Sequence, residues 1–147
     1  MTQKNWYDEY YSYHYKNKDK NRDDLLVNKE VIFQFLAKQQ CIIKSLSKIS
    51  LDKENSKIAD IGCGSCTDLI NLVTLGFNQK NLYGADINKT GIDFGADNFP
   101  LLNLSVQNAT NLSFENNFFD LVYESTMFVQ LTNQKVSEEI ANEMIRI

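Results

Sequence analysis

The sequence predicts an α/β protein, a mostly parallel sheet with helices on both faces. Two observations predict it. From residue 57 onward, short apolar runs closed by glycine or a polar residue alternate with segments of helical spacing. With 43% hydrophobic and 23% charged residues, the 147-residue chain also has the composition of one globular domain able to bury a core. The right-handed crossover rule then leaves few topologies open.

Residues 1–30 are polar and rich in tyrosine: Tyr7, Tyr10, Tyr11, Tyr13 and Tyr15 fall here, with Trp6 and the only histidine, His14. The mixed-sign run KNKDKNRDD that follows reads as a solvated loop or helix end. Between about Val27 and Ile49, Val31, Phe35, Ile42, Leu46 and Ile49 recur at helical spacing, widened by Ile32, Leu36 and Ile43, so a helix with one buried face is expected. Lys57–Ile61 is a short apolar run ended by glycine, a buried-strand signal. Thr67–Leu75 has Leu69, Ile70, Leu72 and Val73 before Gly76, which reads as a helix with a glycine stop.

Asn81–Asp86 reads as a second strand. Lys89–Phe99 is a helix despite Gly91 and Gly95, ended by Pro100. Leu102–Val106 alternates and makes a third strand, and Phe118–Tyr123 a fourth. Val136, Ile140 and Met144, four apart, mark a last helix.

The segment that carries chemistry is Asp60-Ile-Gly-Cys-Gly-Ser-Cys66, where the first strand ends. In an open α/β sheet, ligands bind beyond the carboxyl ends of the strands, near the point where strand order reverses. Gly62 permits a tight turn, and Gly64 lets a ligand approach the backbone with no Cβ in the way. The helix opening near Thr67 aims unpaired N–H groups and a positive dipole end at the same place. Asp86 ends the second strand, 26 residues after Asp60. A carboxylate there can accept from both hydroxyls of a ribose.

These motifs, in this order, resemble class I S-adenosylmethionine-dependent methyltransferases. IADIGCGSC is similar to the family's first motif and NLYGADIN to its second. NATNLSF at 108–114 resembles the segment that reaches the adenine. FFDLVYESTMFVQL resembles the fourth-strand motif bordering the substrate, as in small methyltransferases that act on metabolites. The family often has a third glycine where this chain has Cys66, and an acidic residue where it has Asn108.

The resemblance covers roughly residues 55–147. It implies a Rossmann-like sheet of strand order 3-2-1-4 and S-adenosyl-L-methionine as cofactor. It implies that Asp60, Gly62, Cys63 and Gly64 surround the methionine part and Asp86 holds the ribose. Ile87 would pack on the adenine, Asn108 and Ala109 would touch its edge, and Glu124 and Ser125 would border the methyl group and the acceptor. Relatives continue beyond a fourth strand, so the resemblance also implies that C-terminal strands are missing and that the chain is truncated. A homo-oligomer or a partner chain is then expected over the open sheet edge.

Residues 1–50 are expected to form a tyrosine-rich lid and helix, and 51–147 the cofactor-binding domain. The tyrosines suit a lid and an aromatic strip packing the helix equally well. Glu124, at the end of the fourth strand, and His14, whose ordinary pKa suits proton transfer, are the general-base candidates. His14 also fits a plain surface histidine. The acceptor is expected to be a small cytoplasmic molecule. A net charge of −4 argues against nucleic acid, no apolar run approaches a membrane span, the N-terminus lacks a secretory signal, and no metal spacing occurs.

Two other functions compete. One is an incomplete or non-catalytic cofactor-binding fragment that needs a partner chain. The other rests on Cys63-Gly-Ser-Cys66, a CxxC between a strand and a helix, where a disulfide oxidoreductase carries its dithiol. A thioredoxin-like site would also need a cis-proline opposite the dithiol, and Phe99-Pro100 reads better as a helix terminator.

Overall fold

The computed structural model describes residues 28–147. His14, Trp6 and the five N-terminal tyrosines lie outside the described residues. The chain divides into two units, Met1–Leu51 and Asp52–Ile147.

In the first unit, helix α1 spans Lys29–Leu46. Asn28 starts it by accepting from the backbone N–H groups of Glu30 and Val31, the ordinary way an asparagine satisfies a free helix N-terminus. The stripe Val31, Phe35, Ile42 and Leu46 is half-buried. Leu36 and Ile43, expected to widen the buried face, are exposed, and no residue of the helix is fully buried.

The second unit is built on strands β1 (Ile58–Ile61), β2 (Leu82–Asp86), β3 (Asn103–Val106) and β4 (Leu121–Tyr123). Their order is β3-β2-β1-β4 and every pairing is parallel, as the motif order implied. Helices α2 (Thr67–Thr74), α3 (Lys89–Asn98) and α4 (Gln134–Arg146) connect or follow the strands.

All four residues of β1 are buried, because a parallel strand between two helical layers meets protein on both faces. Its side chains alternate between those layers. Ala59 and Ile61 join Ala85, Leu112 and Ile147 in one core, with Tyr83, Phe114, Phe119, Val122 and Met144 packed around it, so α4 covers this face. On the opposite face Gly84 of β2 meets Leu69 of α2 and Leu104 of β3, and Gly95 of α3 meets Leu104 too.

The fourth strand is shorter than expected. Phe118 and Phe119 donate their backbone N–H groups to the carbonyl of Ile147 instead of to a strand, and their rings stack edge-on with Tyr83. Strand pairing begins only after Asp120 N–H reaches Lys57 O.

Arg146 fastens the end of α4 to the segment before β4. It donates to Leu112 O at 2.8 Å, Phe114 O at 2.8 Å and both oxygens of Glu143. Glu143 in turn accepts from Leu112 N–H at 2.7 Å. The Arg146 guanidinium first, and then that N–H, pull the Glu143 carboxyl from the ordinary glutamate range down to about 2. A depressed carboxyl stabilises the fold above its unfolded pKa, and that contribution disappears as pH falls toward its folded pKa. Stability should therefore decline from roughly pH 4.5 toward pH 2 in urea titrations, and Glu143→Gln should remove this part of the slope.

Candidate functional site: the glycine loop and the end of the second strand

The loop after β1 is defined by three residues with left-handed backbone. Gly62 and Gly64 have φ +81° and +54°, and Cys66, which starts α2, has φ +66°. The first two accept this conformation without steric cost. Cysteine does not, and the position is the one where the family often has a third glycine. Cys66 is fully buried. A Cβ built on Gly95 would lie 2.7 Å from its sulfur. Gly95 on α3 thereby makes room for the thiol. Gly84 does the same for Cys63, at 2.8 Å.

This explains Gly95, one of the two glycines that count against a helix at α3 in the sequence, and Gly84 within β2. Gly95→Ala would by helix propensity stabilise α3, yet here it should destabilise by about 1–2 kcal/mol through overpacking. The double variant Gly95→Ala/Cys66→Gly should recover part of that loss in a denaturant cycle, the 2.8 Å approach to Leu104 Cδ1 remaining.

Asp86 joins the loop to the second strand. Its Oδ2 accepts from Gly64 N–H at 2.8 Å and its Oδ1 from Asn88 N–H at 2.7 Å. Gly62 N–H donates to Ala85 O at 2.7 Å, so the glycine turn is fixed against the carboxyl end of β2 at two points. Burial lifts the Asp86 carboxyl above the ordinary aspartate range, and the N–H groups of Asn88, Gly64 and Ile87 draw it back. Two carboxylate oxygens offer about four acceptor sites, so these N–H groups leave capacity for a further donor. Asn88, which the sequence reading passed over, is buried and starts α3 by accepting from Thr90 N–H.

Asp60 sits in the sheet between Gly84 and Tyr123, its register partners on β2 and β4. It is 2% exposed. Asp68, in the first turn of α2, is buried as well. Burial, and then the charges of Asp60 and Asp68, hold the Tyr123 phenol well above its ordinary pKa, so it stays protonated. Asp68 and Tyr123 were not singled out from sequence. Tyr123 is legible only once the register with Asp60 is known.

The remaining expected residues are arranged as follows. Ile87 is half-buried next to Asp86. Asn108 is exposed, and its Oδ1 accepts from Thr110 N–H at 3.1 Å, so the carbonyl expected to meet an adenine edge also closes an Asx turn. Ala109 packs beside the Ala59–Ile61 core. Glu124 Oε2 accepts from the N–H groups of Met127 at 2.7 Å and Phe128 at 3.3 Å. Ser125 follows it, half-buried. The loop brings Met127 onto the turn: a Cβ on Gly62 would lie 3.0 Å from both Met127 Cβ and Sδ.

The CxxC reading finds no support in this geometry. The two sulfurs are 3.9 Å apart, and both thiols are free and buried. The Cys66 thiol as hydrogen-bond partner, and then burial, push the Cys63 pKa up. A dithiol oxidoreductase needs the opposite shift, which the helix N-terminus was expected to supply. Among the three cysteines only Cys41 is exposed. A disulfide reagent should therefore titrate one thiol rapidly in the native protein and the other two only on unfolding.

Fold and site together define a Rossmann-like α/β domain, with a glycine turn after β1 and an acidic residue ending β2. The family model described as methyltransferase domain matches residues 58–147, more than half of the chain. The chain belongs to this family, that of the class I S-adenosylmethionine-dependent methyltransferases.

A SAM-dependent methyltransferase from Methanosarcina mazei is 26% identical, covers 65% of this chain and 48% of its own, and has a TM-score of 0.58. A TehB-like SAM-dependent methyltransferase from Corynebacterium glutamicum is 20% identical over 74% of this chain and 54% of its own, with TM-score 0.58. Phosphoethanolamine N-methyltransferase 1 from Haemonchus contortus, in complex with phosphoethanolamine and S-adenosylhomocysteine, is 15% identical over 97% of this chain and 29% of its own, with TM-score 0.71. The latter two likenesses bear on the fold alone. No curated protein matches the chain. The chain spans about half the length of the solved proteins it matches. Among the described residues no helix is long and apolar enough to cross a membrane.

Proposed function

We propose that the Gly62–Cys66 turn and Asp86 bind S-adenosyl-L-methionine, and that the protein uses it to methylate a small cytoplasmic acceptor. The observation that carries this reading is the bond from Gly64 N–H to Asp86 Oδ2. It ties the backbone that would lie along the methionine part to the carboxylate that would hold the ribose, so the two halves of one ligand meet a single preorganised unit.

The residues present fit the group. Gly62 and Gly64 present backbone with no side chain, and α2 begins directly behind them. Asp86 has acceptor capacity left for the two ribose hydroxyls. Asp60, in the sheet below the turn, offers the negative charge that suits the methionine ammonium. Ile87 supplies an apolar face for the adenine, with Asn108 and Ala109 at its edge. Cys63 lines the turn through its backbone. When bound, the cofactor supplies an electrophilic methyl group on sulfur, so the protein's part is to orient, to exclude water and to shape the acceptor side. Glu124 and Ser125, at the end of β4, border that side.

The small size of the acceptor rests on the likeness of the β4 segment to enzymes of metabolites. The acidic net charge fits such an acceptor better than a nucleic acid. Among the described residues β4 pairs only with β1. Its outer edge offers backbone groups to a further strand, from a second copy or a partner chain.

Thermal unfolding tests the ligand class. S-adenosylmethionine and S-adenosylhomocysteine should raise the melting temperature with concentration, because they bind only the folded chain. ATP and NAD at equal concentration should leave it unchanged. An equal shift by all four would reduce the site to a general nucleotide turn.

A further inference from the structure

The strand order puts the reversal of the sheet between β1 and β4. The chain steps from β1 outward to β2 and β3, then returns to the other side of β1. Ligands of such sheets lie in the crevice at that point, between the two loops that leave the strands. One wall is the Gly62 turn. The other is the loop after β4, and three features hold it in one shape. Glu124 Oε2 takes the N–H groups of both Met127 and Phe128. Gln130 N–H closes on Met127 O at 3.0 Å. Thr126 stands at φ +77°, a conformation a β-branched residue adopts only when its surroundings impose it. Met127 of this loop packs on the Ala59–Ile61 core and reaches across to the glycine turn, its sulfur 3.0 Å from the place of a Gly62 Cβ.

We propose that Met127 is a ligand-contacting residue that walls the methionine end of the S-adenosylmethionine site against Gly62, and that Glu124 is a positioning residue that sets it there rather than a general base. This deepens the cofactor reading above and rests on it. A thioether is apolar, polarizable and unbranched, so it packs closely on a sulfur-bearing ligand and on bare glycine backbone. Glu124 acts through the loop because one of its oxygens is committed to two backbone donors. An amide oxygen at the same position can accept from both, whereas alanine cannot.

Calorimetric titration with S-adenosylhomocysteine, which cannot react, separates the roles. Met127→Ala and Glu124→Ala should each weaken affinity about tenfold, as expected when one packed contact is lost. Met127→Leu and Glu124→Gln should stay within about twofold of wild type, since shape and acceptor oxygen are kept. Melting curves taken alongside show that each variant is folded. Should Met127→Ala be unstable, the smaller truncation Met127→Val carries the same comparison. Wild-type affinity in a folded Met127→Ala would overturn the wall. Equal losses in Glu124→Gln and Glu124→Ala would overturn the clamp, because charge and not acceptor geometry would then matter. A failure of the underlying reading looks different: wild type itself would give no saturable heat.

Discussion

Asp86→Ala should weaken S-adenosylhomocysteine binding by at least about 100-fold while leaving the chain folded. Two charge-assisted hydrogen bonds to a ribose would be lost, each worth roughly 1.5–3 kcal/mol when the group is partly buried. The variant also frees Gly64 N–H and Asn88 N–H, which now share the carboxylate. The turn then loses its tie to β2, and the backbone facing the methionine part is no longer preorganised. The sheet should survive, because β2 is hydrogen-bonded on both sides, to β1 and to β3.

Asp86→Asn keeps acceptor oxygen but no charge and should fall between the two. The pH dependence has a definite sign. Burial raises the Asp86 carboxyl, so on acidification it becomes protonated, and weaker as an acceptor, at a higher pH than an ordinary aspartate. Affinity should drop on the acid side above the usual aspartate range, and Asp86→Asn should flatten that drop.

Gly84→Val should have the largest effect on stability, a loss of about 3 kcal/mol in urea titrations. A Cβ at this position would already lie 2.8 Å from Cys63 Sγ and Leu104 Cδ2, and 3.0 Å from Leu69 Cδ1. Leu69 is fully buried and Cys63 nearly so, so neither can retreat into solvent, and only the half-buried Leu104 has room to move. Valine adds two methyl groups to that clash, although its intrinsic strand preference is far better than that of glycine. The cost is thus tertiary and not local. Gly84→Ala should cost less, about 1 kcal/mol, because the three neighbouring atoms end side chains that can shift by tenths of an ångström. Since Cys63 lies in the glycine turn, Gly84→Val should weaken ligand binding as well, even where the chain remains folded.

Much of the sheet is legible in the sequence because its signal is local. A buried parallel strand is a short apolar run, and IADI and LYGAD say so directly. Asp60, Gly62, Gly64 and Asp86 are legible for a related reason: a positive-φ turn and a strand-terminal carboxylate each demand a residue type at a set place. Other features depend on what lies across space. Gly95 reads as a weak point in a helix until Cys66 is seen against it. Phe118 and Phe119 read as strand because they are apolar, and only the Ile147 carbonyl shows where their N–H groups go. Glu124 reads as a base from its place at a strand end, and its use as an acceptor for Met127 and Phe128 appears only in the folded loop. Met127 falls within the segment that resembles the fourth-strand motif, but nothing in the sequence singles it out there. A methionine in a loop is unremarkable until the order β3-β2-β1-β4 sets that loop beside Gly62.

The central claim is that the turn from Asp60 to Cys66, tied to Asp86, is an S-adenosylmethionine site. Calorimetric titration of the folded wild-type chain with S-adenosylmethionine tests it most directly. Saturable heat with one site per chain, lost in Asp86→Ala, is the predicted result. Absence of heat from a sample shown to be folded by its melting curve would contradict it.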